Sequence, residues 1–183
     1  SSFWLAEDSR RTLLTTSNGT GVYTGKYPDA VTYSDPNPIL RFAEVVLNAA
    51  EANAQLGNLD VAVTLLNSVR SRALPATVPA FTAAGLGGQE GVLDAIYKER
   101  RIEFLAEGKR WADIHRLSGA GVMNGVPAKA TSRSITNINF YNTDRAIPTD
   151  HSILYTSNLF VWPIPLEEIQ TNSTAPIEQN PGY

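Results

Sequence analysis

Hydrophobic positions change their rhythm three times along this chain. The opening residues 1–38 show no sustained period: "TTSNGTGVYTGKYPDAVTYSDPNP" is rich in Gly, Pro, Asn and Asp, and predicts loop with short strands. From Ile39 to Leu56 the apolar residues recur at helical spacing, with Leu40, Ala43, Val46/Leu47, Ala50 and Ala54 on one face. Pro38 suits the first turn of that helix, because its missing N–H is unused there. Gly57 suits a left-handed cap at its end. A second helix runs from Leu59 to Arg72, with Val61, Leu65, Leu66 and Val69 inward and Asn58 or Asp60 as cap. Pro75 and Pro79 stop it. So short a connection predicts an antiparallel hairpin. Ala50, Ala54 and Ala62 are small enough to let its backbones approach closely.

A third helix is expected from Gln89–Gly91 to Leu117, and it contains the densely charged stretch "KERRIEFLAEGKRW". On a wheel of 100° per residue, Leu93, Ile96, Tyr97, Phe104 and Trp111 share one side. Arg100 and Glu107 fall inside that stripe, Glu103 at its edge, and Ile102 and Leu105 opposite. A helix apolar on two sides is enclosed on both. The pattern therefore predicts a buried ion-pair network of Arg100, Glu103 and Glu107, with further partners from neighbouring helices, because an unpaired buried charge is costly. The competing reading is an acid/base pair, Glu99 and Glu103. Glycosidase carboxylates, however, flank a cleft wide enough for a sugar, about 5–9 Å apart. Two neighbours on one helix beside Arg100 and Arg101 read better as pairing groups. Beyond the helix the chain is loop-like to about Asn158. "LFVWPIP" reads as a buried extended segment with Trp162, like Trp111, in the core, and "LEEIQTN" as one or two helical turns.

The 183 residues suffice for one domain with a core, and the 43% apolar content is that of a globular chain. A net charge of -3 leaves no electrostatic footprint for nucleic acid. No apolar run is long enough to span a bilayer. Cysteine is absent, which removes disulfides, thiolate nucleophiles and thiolate metal sites. Only His115 and His151 offer imidazoles, so neither a metal site nor a cofactor is expected.

Several blocks together resemble the SusD/RagB family. They are "PILRFAEVVLNAAEANAQLGN", "AVTLLNSVRSRALP", "LDAIYKERRIEFLAEGKRWADIHRL" and "VWPIPLEEIQTN…IEQNPGY". Arg41, Glu44, Glu51, Asn67, Arg70, Arg72, Glu99 to Arg101, Glu103, Glu107, Gly108, Arg110, Asp113, Arg116, Pro163, Pro165, Glu168, Asn180 and Gly182 stand at the family's places. "DSRR" and "GKYPD" fit the segment that precedes them. The resemblance implies an all-α fold: tetratricopeptide-like hairpins in a right-handed array, with long irregular loops. On that reading residues 1–183 form a single C-terminal region, with a helical core at 39–117 and a loop-rich segment at 118–183. Family members are longer, so the chain is expected to be the C-terminal part of one or a truncated relative, with Tyr183 as its natural end.

The resemblance further implies a surface-exposed lipoprotein of the bacterial outer membrane that captures glycans for uptake without catalysis. Its implied partner is a SusC-like TonB-dependent transporter, and its membrane contact a lipid anchor absent from this chain. The family's sugar-contacting aromatics lie mostly upstream of these motifs. Within the chain, "NINFYNTDR" offers Tyr141, Asn142, Asp144 and Arg145 as ligand-binding candidates, since sugars need aromatic faces and planar polar groups. The plain alternative is a loop packed on the helices. Trp4, Tyr23, Tyr27 and Tyr33 are read as tertiary packing. Two other classes stand beside glycan capture: a helical-repeat adaptor that binds only protein, and a glycoside hydrolase.

Overall fold

The computed structural model describes residues 4–17, 22–127, 152–172 and 175–183. They fall into two compact units, one up to Arg110 and one from Trp111. The first begins with a short helix α1 (Arg10–Leu14) and an antiparallel hairpin of β1 (Thr15–Ser17) and β2 (Val22–Thr24), in register Thr16 to Tyr23. Three helices come after it: α2 (Phe42–Gln55), α3 (Leu59–Arg70) and α4 (Gln89–Glu103). Helix α5 (Lys109–Gly119) is next. The second unit adds β3 (Gly125–Val126) paired antiparallel with β4 (Ile153–Leu154), and the six-residue α6 (Leu166–Thr171).

Helices α2 and α3 form the expected hairpin. Gly57 sits at φ 83°, the left-handed conformation that ends α2. Ala50, Ala54 and Ala62 are completely buried, so the backbones meet over small side chains, and Leu47, Leu66, Val92 and Ile96 fill the core around them. Helix α2 starts later than its apolar rhythm suggests. Pro38 lies outside it, and Arg41 is the N-cap residue in extended conformation. Leu40 and Val61, read as inward, are exposed.

A second apolar row runs along α2 beside the buried one. Phe42, Val45, Ala49, Ala52 and Leu56 recur at spacings of three and four, and Phe42, Val45 and Leu56 are exposed. The hairpin thus carries an outward seam of the kind one repeat presents to the next.

The third helix is not continuous to Leu117. It ends at Glu103, with Phe104 leaving helical conformation, and restarts at Lys109. Ala106 at φ 60° and Gly108 at φ 76° make the break. A wheel carried through residues 104–108 therefore misplaces the side chains beyond them. Ile102 is buried and Trp111 is 40% exposed.

In the second unit Ile114, Leu117 and Phe160 are buried. The "LFVWPIP" segment is neither extended nor buried as a whole: Leu159 and Phe160 belong to a 3-10 turn, Asn158–Phe160, and extended backbone begins at Val161. Phe160 alone turns fully inward, whereas Leu159, Val161 and Trp162 are exposed, Trp162 by 72%. Neither Trp111 nor Trp162 is a core residue. They flank a ring cluster, 6.3 Å apart and edge-on, with Trp111 also stacking on Phe160 at 6.2 Å. The C-terminal residues staple the segment. Gln179 exchanges two hydrogen bonds with the Ile164 backbone, Asn180 Nδ2 donates to Trp162 O at 2.7 Å, and the Tyr183 hydroxyl donates to Val161 O at 3.0 Å.

Candidate functional site

The end of α4 is an ionic hub. Glu99 and Glu103 lie one turn apart on α4, and Glu107 is in the break beyond it. All three are buried, with Arg100. Arg10 from α1 extends its guanidinium between them. Nη1 donates to Glu99 Oε1 at 2.6 Å and to Glu103 Oε2 at 2.9 Å, while Nε and Nη2 form a fork on the Asp8 carboxylate at 3.0 and 2.7 Å. Arg41 arrives from the start of α2. It donates through Nη1 to Glu103 Oε1 at 2.8 Å and through Nε to Glu107 Oε2 at 3.0 Å. Arg72, just past α3, adds Nη2 to Glu103 Oε1 at 3.0 Å. Lys26 pairs with Glu107.

The same cations cap the helix. Arg41 Nη2 donates to the Glu103 carbonyl at 2.8 Å and Lys26 Nζ to the Leu105 carbonyl at 3.2 Å. Carbonyls at a helix C-terminus lack intrahelical partners and attract positive charge. The break at Ala106 and Gly108 thus brings the Glu107 carboxylate back to the hub instead of one turn onward. Arg100, the other residue of the expected network, donates Nη1 to Asn48 Oδ1 at 2.6 Å and lies over the Phe104 ring, 5.2 Å from its centroid.

The same two influences leave the two carboxylates on α4 with opposite net shifts. Burial, its largest influence, raises the Glu99 pKa above the ordinary carboxylate value, and the charge and hydrogen bond of Arg10 only partly offset this. Burial opposes the charge of Glu103 too, but hydrogen bonds from Arg41 and Arg10, helped by Arg72, outweigh it and hold its pKa below that value. Both carboxylates are engaged by guanidinium groups, so the arrangement is chemically an array of ion pairs. Among the described residues no group of three or more acidic or imidazole side chains could hold a metal ion.

The sequence points to Arg100, Glu103 and Glu107 but not to the side chains that meet the two glutamates. Arg10, Lys26, Arg41 and Arg72 come from segments 31 to 93 residues away. Their one signal is their presence in the family-like blocks "DSRR", "GKYPD", "PILRFAE" and "VRSR". The candidates Tyr141, Asn142, Asp144 and Arg145 lie outside the described residues.

A second built feature is the loop after β2. Asp29 organises it: its carboxylate accepts the N–H groups of Val31, Thr32 and Ser34 at 3.1, 2.8 and 3.0 Å and the hydroxyls of Thr32 and Ser34. These bonds, Ser34 first, lower its pKa far below the ordinary value. Asp35 Oδ2 closes the loop by accepting Asp29 N–H at 2.7 Å. Tyr33, read from the sequence as packing, stands 83% exposed at φ 53°. A cavity of ≈ 420 Å³ is lined here by residues of this loop and by Ala106.

Known proteins resemble this chain in sequence and in fold. The SusD family model matches residues 6–183. SusD-like protein P38 of Formosa agariphila is 39% identical over 102 residues, which are 50% of this chain and 20% of that protein. SusD-like protein P25 of the same organism is 33% identical over 140 residues, 76% of this chain and 23% of that protein. Among solved structures, a SusD superfamily protein from Bacteroides fragilis aligns with TM-score 0.69 and 27% identity, over 92% of this chain and 34% of its own. A Bacteroides vulgatus protein to which sugar binding has been ascribed aligns with TM-score 0.68 and 27% identity, over 97% of this chain and 36% of its own. The chain thus spans about a fifth of the curated relatives and a third of the solved ones. With its mostly helical, tetratricopeptide-like architecture, the chain belongs to the SusD family.

Proposed function

We propose that this chain is part of a glycan-binding protein of the bacterial outer-membrane surface. It captures carbohydrate without cleaving it and works with a SusC-like TonB-dependent transporter in nutrient uptake. Attachment to the membrane is through a lipid anchor. The observation that carries the reading is the family match from residue 6 to 183, together with the sugar binding ascribed to the Bacteroides vulgatus neighbour. The hub supports a non-catalytic role. Glu103, held by Arg10, Arg41 and Arg72 with its pKa lowered, is a poor proton donor to a glycosidic oxygen, and Glu99 sits one turn away on the same helix, bound to the same Arg10 Nη1. The hub's role on this reading is to join α1, α2 and the segment after α3 to the end of α4. The stretch holding Tyr141, Asn142, Asp144 and Arg145 is the sequence's candidate for a sugar contact.

A helical-repeat adaptor is the second reading, and the outward apolar seam of α2 favours it. Affinity electrophoresis of the full-length protein through gels cast with polysaccharides separates the readings. Retardation without new reducing ends supports glycan capture. Transporter binding with no retardation in any gel supports the adaptor. Turnover abolished by Glu99→Gln or Glu103→Gln makes the protein a hydrolase.

A further inference from the structure

We propose that the loop from Tyr27 to Asn37 is a subsite for an uncharged sugar ring, with Tyr33 as its stacking face. The proposal rests on the glycan-binding reading above and assigns it a place. The cavity of ≈ 420 Å³ lies within the range of small-molecule sites, about 300–1,000 Å³. Its lining combines aromatic rings, Tyr27 and Tyr33, with planar polar groups, Asp29, Asp35 and Asn37.

Tyr33 is held out at a cost. The residue is 83% exposed, and its backbone is in the left-handed region that non-glycine residues avoid. The Asp29 carboxylate, by binding the residues on both sides of Tyr33, keeps it there. A tyrosine so displayed adds no core, but it offers a flat apolar face to the C–H face of a pyranose. Two polar atoms in the same lining stand ready for hydroxyls. Asp35 Oδ2 is occupied by Asp29 N–H, which leaves Oδ1 as an acceptor. Asn37 Oδ1 accepts from the Tyr27 hydroxyl at 3.2 Å, which leaves Nδ2 as a donor. An acceptor and a donor in one lining suit sugar hydroxyls, each of which donates and accepts.

The charge of the lining narrows the ligand. Asp29 and Asp35 are acidic, and none of the described lining residues is a cation. A uronate or sulfated sugar is repelled there, whereas a neutral one is not.

The test is affinity electrophoresis of the full-length protein in gels of amylopectin, xylan, galactomannan or laminarin, with polygalacturonate and alginate as acidic counterparts. The expected result is retardation by at least one neutral gel. In that gel Tyr33→Ala and Asp35→Ala each weaken binding about tenfold, the loss of one good contact, while Tyr33→Phe stays close to wild type. The thermal midpoint of Tyr33→Ala stays unchanged, as an exposed side chain requires. Wild-type retention with undiminished binding by Tyr33→Ala overturns the subsite and leaves glycan capture standing. Retention by acidic gels only also overturns it, as does a clear fall in the Tyr33→Ala midpoint. A wild-type protein retarded by no gel removes both the subsite and the reading beneath it.

Discussion

Replacing Glu103 by alanine removes the carboxylate on which three guanidinium groups converge. Its Oε1 receives Arg41 at 2.8 Å and Arg72 at 3.0 Å, and its Oε2 receives Arg10 at 2.9 Å. Removing one partner of a buried pair costs about 3–5 kcal/mol, mostly because the other charge is left uncompensated. The structure says how much of that applies. Arg72 has a side chain 58% exposed, so water takes it back and its share is below about 1 kcal/mol. Arg10 keeps Asp8 and Glu99, and Arg41 keeps Glu107, so neither is stranded completely. The expected loss is therefore at the low end, about 3 kcal/mol, and Arg72→Ala should lose less than about 1 kcal/mol. Urea unfolding followed by far-ultraviolet circular dichroism measures both. A Glu103→Ala loss below about 1 kcal/mol, the level of an exposed pair, would refute the hub as a structural device.

The same geometry sets the acid response. The lowered pKa of Glu103 means that the folded state binds its proton less readily than the unfolded state; its stabilisation is present above the ordinary carboxylate value and lost as pH falls through the lowered one. Glu99 has the opposite sign: stability declines as pH rises from the ordinary value through its raised one. In urea unfolding across acid pH, Glu103→Gln should flatten the acid loss, and Glu99→Gln should remove the opposing decline. Ala54→Leu at the fully buried hairpin contact should cost about 1–3 kcal/mol by overpacking, read from the thermal midpoint. Phe160→Ala should cost about 3–5 kcal/mol in denaturant unfolding monitored by tryptophan fluorescence, whereas Trp162→Ala, monitored by circular dichroism, should stay within about 0.5 kcal/mol.

Local signals on the chain carried much of the hairpin. Gly57 and Pro75 mark real boundaries, and the rhythm through Leu47, Ala50, Ala54 and Leu66 marks the face that is buried. The break after Glu103 was not legible, because "FLAEG" contains good helix formers until its glycine. Ala106 adopts a left-handed conformation that costs about 1–2 kcal/mol, and the contacts that offset it are long-range: Lys26 and Arg41 holding Leu105, Glu103 and Glu107. Hydrophobicity also misplaces Trp162, since a buried apolar side chain is indistinguishable in sequence from one displayed on an irregular segment held by the hydrogen bonds of Gln179, Asn180 and Tyr183. Tyr33 was misread for a related reason: its exposure is imposed by five bonds to Asp29, and no propensity encodes them. Burial of Arg100 and Glu103 was legible because they fall within or at the edge of an apolar stripe, whereas Glu99, equally buried, lies outside it. Their partners depend on tertiary contacts that a single helix wheel does not contain.

Glycan capture without turnover is tested most directly by calorimetric titration of the full-length protein with a soluble oligosaccharide from whichever polysaccharide retards it, followed by mass analysis of the recovered ligand. The account predicts saturable binding and a ligand recovered at its original mass. No heat of binding for any oligosaccharide, or recovery of shortened products, would contradict it.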